Sequence, residues 1–441
     1  MQKKKNNPLS MTGFGRSLFG SKSVWKEKSF QNTDLLRWQN TDLLRWAVHT
    51  NDIYQARILL KNGADPNGQS RFSTKDKVLK VASIHGNLNL CQLLVSYGAT
   101  IDDIDNEGRT ALSEAVFFDN LALTTYLLKN GANPNALGFV RNETVLHYAA
   151  RNGYLNMSQL LVSKGATIDA LDSLKCTPLY LAVTGNHIDV ISYLLFKGAN
   201  PNAESESHAG RESVLHVAVG NYNLKICQLL VSNGATIDPR NSWQYTPLCL
   251  AVRRNDITVT SYLLENGANP NVDTYHYDDQ VKESVLHIAA RNSNFDICQL
   301  LISKGADVNC LTSNNETALM IALNNILLHK VHHLSNIAIV IIEYLLKNEA
   351  ICISKKVGDV KDKYRKIFKQ VFASNLYFQK INMWYRIMCK ITSRDDGSLK
   401  SSCRDVIWKN GNYAKISDTV KLNIPDCLRK YLIYEEERKC F

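Results

Sequence analysis

Residues 177–202 read T-P-L-Y-L-A-V-T-G-N-H-I-D-V-I-S-Y-L-L-F-K-G-A-N-P-N, and this stretch decides the fold. Thr177 can cap a helix through its hydroxyl, and Pro178 sits at the first helical position, where a missing N–H costs nothing. Ala182 allows two helices to approach closely, and Leu194 and Leu195 supply the apolar face of a second helix. Gly198 suits the left-handed residue that ends such a helix.

The same frame recurs along the chain. Its alanines are Ala47, Ala82, Ala115, Ala149, Ala182, Ala218, Ala251, Ala289 and Ala322, and in the first eight copies a glycine follows sixteen residues later. Thr110, Thr144, Thr177, Ser213, Thr246, Ser284 and Thr317 hold the capping position. One such unit cannot bury its own apolar face, so the copies must stack. The expectation is an all-α solenoid of about nine helix-turn-helix repeats over residues 41–352.

These residues resemble the ankyrin repeat, whose signature is T-P-L-x-x-A, the Leu-Leu pair and G-A-N-P-N or G-A-T-I-D. His147, His216 and His287 stand at that family's histidine position, which implies hydrogen bonds within and between repeats and not a metal role. Triplets such as Asn142–Thr144 read as accidental glycosylation matches, because a glycan beside a capping threonine would disturb the stack. The ends depart from the pattern. The ninth copy has Glu349 in place of glycine and eleven extra residues, with His329, His332 and His333 read as a polar loop. Near the start Q-N-T-D-L-L-R-W occurs twice, at 31–38 and 39–46. The second copy is in register because Ala47 then falls on the alanine position, leaving the first as an upstream extension.

Alanine-to-alanine spacing runs 35, 33, 34, 33, 36, 33, 38, 33. Sequence type alternates in step: even copies carry variants of C-Q-L-L-V-S with Cys91, Cys227 and Cys298, but Ser158 in copy four. Odd copies carry Tyr-Leu-Leu with Tyr126, Tyr193, Tyr262 and Tyr344. The duplicated unit is therefore a pair of repeats. All the extra residues fall near 68–76, 136–142, 203–212 and 272–282, after the Gly-Ala turns of odd copies. Insertions at equivalent positions project from one face, so these loops are the expected target-binding surface. The last holds Tyr275, His276, Tyr277, Asp278 and Asp279, aromatic anchors mixed with charge.

Composition narrows the class. Of the 441 residues, 45% are hydrophobic and 21% charged, enough for a large core. No run of roughly 18 apolar residues exists, so no membrane span is expected. No signal sequence is seen in residues 1–30, so the expected compartment is the cytoplasm or nucleus. The eleven cysteines form no CxxC pair, and no metal site or cofactor is expected. The net charge of +11 splits as +6 in residues 1–30 (seven basic, one acidic), +10 in 351–441 (twenty basic, ten acidic) and hence −5 between. A nucleic-acid binder would carry its basic residues on its body, so nucleic acid is not the expected partner. Residues 1–40 read as a basic, disordered segment.

After the repeats, residues 353–396 form an expected helical connector, with Tyr364, Ile367, Phe368, Val371 and Phe372 at helical spacing. Beyond it come S-L-K-S-S-C-R-D-V-I at 398–407 and L-N-I-P-D-C-L-R-K-Y-L-I-Y at 422–434. Leu399, Cys403 and Ile407 recur at i, i+4, i+8, one apolar stripe. In order and position the two segments resemble a SOCS box over 397–436. The resemblance implies that Leu399, Cys403 and Ile407 contact elongin C, and that Leu422, Ile424 and Pro425 contact cullin-5. Ser402 stands where a second leucine is common, and Asn423 replaces the first proline of the usual L-P-x-P. A small helical SOCS box thus closes the expected architecture.

That architecture is similar to the ankyrin-repeat and SOCS-box family. It implies a substrate receptor of a cullin–RING ubiquitin ligase, partnered by elongins B and C, cullin-5 and a RING-box protein. No Gly-rich phosphate loop, metal-ligand motif or nucleophile–base arrangement is seen, so the chain is not expected to be an enzyme. The competing expectations are an ankyrin scaffold or inhibitor, and an ankyrin protein with an F-box-like tail.

Overall fold

The computed structural model describes residues 33–68, 77–138, 140–207, 210–275, 282–328, 340–342, 344–345 and 348. Of the segment 1–40 expected to be disordered, residues 33–40 are helical, because they extend the first repeat helix upstream; residues 1–32, the histidine-rich insert at 329–333, the connector and the SOCS-like segment lie outside the described residues. Two units divide the chain, residues 1–136 and 137–441.

In the first unit, helices pair as α1 (Thr33–His49) with α2 (Ile53–Lys61), α3 (Val78–Ile84) with α4 (Leu88–Ser96), and α5 (Ala111–Phe117) with α6 (Leu121–Lys129). Helix α1 begins at Thr33, inside the first octapeptide, and continues through the second, which lengthens the first helix to seventeen residues where α3 and α5 have seven. In the second unit the pairs are α7 (Val145–Arg151) with α8 (Leu155–Ser163) and α9 (Pro178–Thr184) with α10 (Ile188–Phe196). The hairpin β1 (Glu204–Ser207) and β2 (Gly210–Ser213) precedes α11 (Val214–Gly220) and α12 (Leu224–Ser232). Next come α13 (Pro247–Arg253) with α14 (Ile257–Glu265), and the hairpin β3 (Asp273–Tyr275) and β4 (Lys282–Ser284). The last pair is α15 (Val285–Arg291) with α16 (Phe295–Ser303), followed by α17 (Ala318–Leu328).

A seven-residue helix is far too short to persist alone, so these helices exist by packing. All nine frame alanines, from Ala47 to Ala322, are fully buried. Within each unit first helices pack on first helices, as α3 on α5 and α7 on α9, and second helices pack on second helices. Leu94, Leu127, Leu161, Leu194, Leu230, Leu263 and Leu301 of the Leu-Leu pairs are fully buried, each contributing about 2 kcal/mol. The thiols of Cys91, Cys227 and Cys298 occupy one register in that apolar interior, with Ser158 in the fourth copy.

Caps fix the ends. The hydroxyls of Thr110, Thr144, Thr177, Ser213 and Thr246 accept the N–H three residues on, and Asp52, Asn87, Asn120, Asn223, Asp256 and Asn294 do the same for second helices. At Gly198 φ is +88°, Gly198 N–H donates to the Leu195 carbonyl and Ala199 N–H to the Leu194 carbonyl, the crossed pair that closes a helix. A Cβ on Gly198 would meet nothing within 4 Å, so the backbone angle and not space demands glycine there.

Successive repeats are also stitched by Asn and Asp in the turns. Within the first unit, Asn67 accepts Thr100 N–H at 2.8 Å and Asp102 accepts Asn133 N–H at 3.0 Å. Within the second, Asp169, Asn202, Asp238 and Asn271 accept from Asn200, Thr236, Asn269 and Asp307 in the same way.

The expected all-α class needs one amendment: two of the extra segments are antiparallel hairpins, not irregular loops. Glu204 to Ser207 pair with Ser213 to Gly210, and Asp273 to Tyr275 with Ser284 to Lys282. The shorter insert before α7 makes a single bridge, Leu137 to Thr144. Alternation explains why the hairpins hold. Ser205 and Thr274 face inward and are buried, Ser205 Oγ donating to Tyr180 Oη at 2.8 Å and Thr274 Oγ1 to the Glu283 carbonyl at 3.1 Å.

Candidate functional site

In the second unit each insert is tied to the following turn through backbone. Ser173, Ser242 and Ser313 donate their N–H groups to the carbonyls of Arg141, Arg211 and Lys282 at 2.8, 3.1 and 3.0 Å. The Ser242 and Ser313 hydroxyls accept Arg211 and Lys282 N–H in return, at 2.6 and 2.8 Å. The three inserts therefore occupy equivalent positions, as expected from their spacing. Among the described residues their outward charges form pairs: Lys175 with Glu206 at 2.7 Å, Lys282 with Asp273 at 2.8 Å, and Arg211 with Glu204.

Beneath the hairpins lies a second pattern. The residue before the cap is glutamate in every even copy of this unit: Glu143, Glu212 and Glu283. Glu143 and Glu283 are buried beside the ends of the first helices. Glu143 pairs with Arg151; Glu283 Oε2 lies 2.5 Å from Arg291 Nη1, and its Oε1 lies 4.0 Å from Arg253 Nη1. Glu212 is half-buried, with the Arg254 guanidinium near it. Burial pushes the Glu143 and Glu212 carboxyls above the usual range, against the pull of nearby guanidiniums.

Those guanidiniums have two environments each. The side chains of Arg151, Arg253 and Arg291 keep 36%, 31% and 39% exposure while their inner edges meet buried carboxylates. Arg253 also stacks on Tyr245, 5.0 Å from the ring centroid. Arg254 is exposed, donates to the Gly220 carbonyl and stacks on Tyr222 at 4.9 Å. Gly220 has no side chain where other copies carry Arg151 or Arg291, which leaves the end of α11 open to Arg254.

Tyr222 is the irregular member. The turn between first and second helices is left-handed in all eight described pairs, at Asn51, Gly86, Asp119, Gly153, Asn186, Tyr222, Asn255 and Ser293. Asn, Gly and Asp tolerate that conformation, whereas a bulky aromatic residue at φ +56° is strained. Tyr222 is 59% exposed.

The three histidines hold the interior together. His147 Nδ1 accepts Thr144 N–H at 3.2 Å, and Nε2 lies 3.0 Å from the Cys176 carbonyl in the next repeat. His216 and His287 repeat this with Ser213 and the Tyr245 carbonyl, and with Ser284 and the Glu316 carbonyl. These partners specify a neutral ring protonated on Nε2. Burial depresses all three, His287 to about 4. In the first unit the equivalent residue is Lys80, buried with Asp105, and 3.8 Å from Glu114.

Burial pushes the thiols of Cys227, Cys249 and Cys298 up to about 12, which removes them as nucleophiles at neutral pH. Among the described residues no group of His, Cys, Asp and Glu is placed to hold a metal, and no helix is long and apolar enough to cross a membrane.

Of the sequence-derived candidates, Tyr275 ends β3 opposite Lys282. His276, Tyr277, Asp278 and Asp279 lie outside the described residues, as do Leu399, Cys403, Ile407, Leu422, Ile424 and Pro425. The arginine cluster and Tyr222 were not found from sequence. The recurring Glu before the cap, in N-E-T-V-L-H, R-E-S-V-L-H and K-E-S-V-L-H, was the available signal.

Comparison with known proteins gives a match to the model for ankyrin repeats (three copies) at residues 44–138, 135–205, 203–274 and 273–357. The ankyrin repeat and KH domain-containing protein mask-1 of Caenorhabditis elegans is 32% identical over 281 residues, 56% of this chain and 10% of that protein. The B-cell lymphoma 3 protein homolog of Mus musculus is 33% identical over 175 residues, 39% of this chain and 38% of that protein. The chain thus spans well under half the length of these relatives. The solved human ASB11 ankyrin repeat domain is 24% identical with a TM-score of 0.44, covering 52% of this chain and 98% of that one.

Proposed function

This chain belongs to the ankyrin-repeat family, and we propose that it is a substrate receptor that holds a protein target for ubiquitination. The hairpins and first-helix ends of the second unit hold the target. Residues 397–436 dock elongins B and C with cullin-5 and a RING-box protein. Catalysis is then proximity: a held target sees a high effective concentration of the ubiquitin-charged partner, and the chain supplies no reacting group.

The observation that carries the binding half is the set of Tyr222 and Arg254, exposed, with Arg253 and Arg291, partly exposed, because aromatic and arginine residues are enriched in protein interfaces. What supports the ligase half is the order of S-L-K-S-S-C-R-D-V-I and L-N-I-P after the repeats. The test is co-purification of the full chain with elongins B and C, comparing wild type with Leu399→Asp plus Cys403→Asp. Elongin recovered with wild type and lost with the variant supports the receptor. Elongin absent from both, or equal in both, leaves an ankyrin scaffold.

A further inference from the structure

We propose that the Arg253, Arg254 and Arg291 guanidiniums dock the carboxylates of an acidic segment in the target. This rests on the reading that the repeats bind a protein, and adds the chemistry of what they bind.

Three observations point to it. First, each guanidinium carries five N–H donors in a fixed fork, and these three use only some of them internally. Arg291 spends an inner edge on Glu283, Arg253 Nη1 donates to Tyr245 Oη at 3.4 Å, and Arg254 donates to the Gly220 carbonyl. The partly exposed edges match a carboxylate in bidentate fashion. Second, among the described residues the local charge is positive. Three guanidiniums face two carboxylates, Glu212 and Glu283. Asp256, the next acidic residue along α13–α14, accepts Val259 N–H and the Thr258 hydroxyl as the α14 cap. Among the described residues of the neighbouring hairpins, Arg211 pairs with Glu204 and Lys282 with Asp273.

Third, the cluster is held at a cost in local conformation. Tyr222 keeps a strained left-handed backbone where seven other repeats use Asn, Gly, Asp or Ser, and its exposed ring is the platform under Arg254. Strain kept at an exposed side chain points to a role outside folding. Arg253 and Arg291 share Glu283, so the three cations fall within adjacent repeats about 10 Å apart. That size fits two or three carboxylates on a short peptide. A nucleic-acid partner draws its affinity from more phosphate contacts than this cluster offers.

The experiment is fluorescence anisotropy on the full chain with a labelled peptide of alternating Glu and Ser. Its Gln/Ser counterpart and a single-stranded oligonucleotide are run beside it. The Glu peptide is expected to bind roughly tenfold tighter than the Gln peptide. Affinity should fall with added salt and drop roughly tenfold in Arg254→Gln, with Arg254→Lys in between. Tyr222→Asn should weaken binding without lowering the thermal midpoint, which a purely structural role for the tyrosine would not produce. No binding, equal binding of the two peptides, insensitivity to Arg254→Gln, or tighter binding of the oligonucleotide would each overturn the proposal. A photo-crosslinker at position 222 that still captures a protein when the Glu peptide fails would reject the acidic chemistry while keeping the binding reading.

Discussion

Replacing His287 by Gln should flatten the pH dependence of stability by a calculable amount. In the folded chain His287 is fully buried and neutral, with its pKa near 4; in the unfolded chain a histidine titrates near 6.5. Between these values the unfolded state binds one more proton than the native state, so stability rises with pH across that window and is level above it. Lowering the pH from 8 to 5 therefore costs wild type about 2 kcal/mol through this one residue. His147 and His216 are depressed in the same direction by burial, and their contribution is common to wild type and variant. Gln retains a donor for the Glu316 carbonyl but has no proton to gain. Urea unfolding at pH 8 and pH 5 is the assay. The variant starts less stable at pH 8 and then loses about 2 kcal/mol less than wild type on acidification. Parallel losses in the two proteins would refute the assignment of His287 as a neutral, buried ring.

Three further outcomes follow from packing. Ser158 sits fully buried in the register of Cys91, Cys227 and Cys298, and its hydroxyl has no hydrogen-bond partner among the described residues. Ser158→Cys should therefore raise stability by about 1 kcal/mol in urea unfolding. Gly198→Ala should lower stability by about 1 kcal/mol through its left-handed backbone alone, since the new methyl meets nothing; a loss of several kcal/mol would mean that space and not φ was limiting. Arg291→Met should cost about 3 kcal/mol because Glu283 is left buried without its nearest cation, and adding Glu283→Gln should recover most of that, measured as a double-mutant cycle.

The parts of the fold set by local chemistry were legible in the sequence. Ala182, the Leu194–Leu195 pair and Gly198 each act through helix approach, burial or one backbone angle, so the repeat register follows from residue type and spacing. The hydroxyl caps came the same way, while the bridging role of His147, His216 and His287 followed from the resemblance to the ankyrin repeat. The hairpins were harder. Glu204–Ser207 lacks the apolar alternation of a strand, and its pairing depends on Ser205 finding Tyr180 and on the backbone of the neighbouring turns. Lys80 in place of the repeat histidine is intelligible only with Asp105 and Glu114 around it, both distant in sequence. The arginine cluster was hidden for a similar reason. Arg253 and Arg291 lie 38 residues apart and meet on Glu283, and the strain at Tyr222 is a backbone angle that composition does not announce.

The most direct test of the account joins its two halves. A photo-crosslinker at position 222 of the full chain is activated in cells, and ubiquitin is measured on whatever protein it captures. Capture from position 222, with ubiquitin on the target for wild type and none for Leu399→Asp plus Cys403→Asp, is the predicted result. Capture only from a control position on a second helix, such as Gln159, would contradict the account, as would a ubiquitin level indifferent to Leu399 and Cys403.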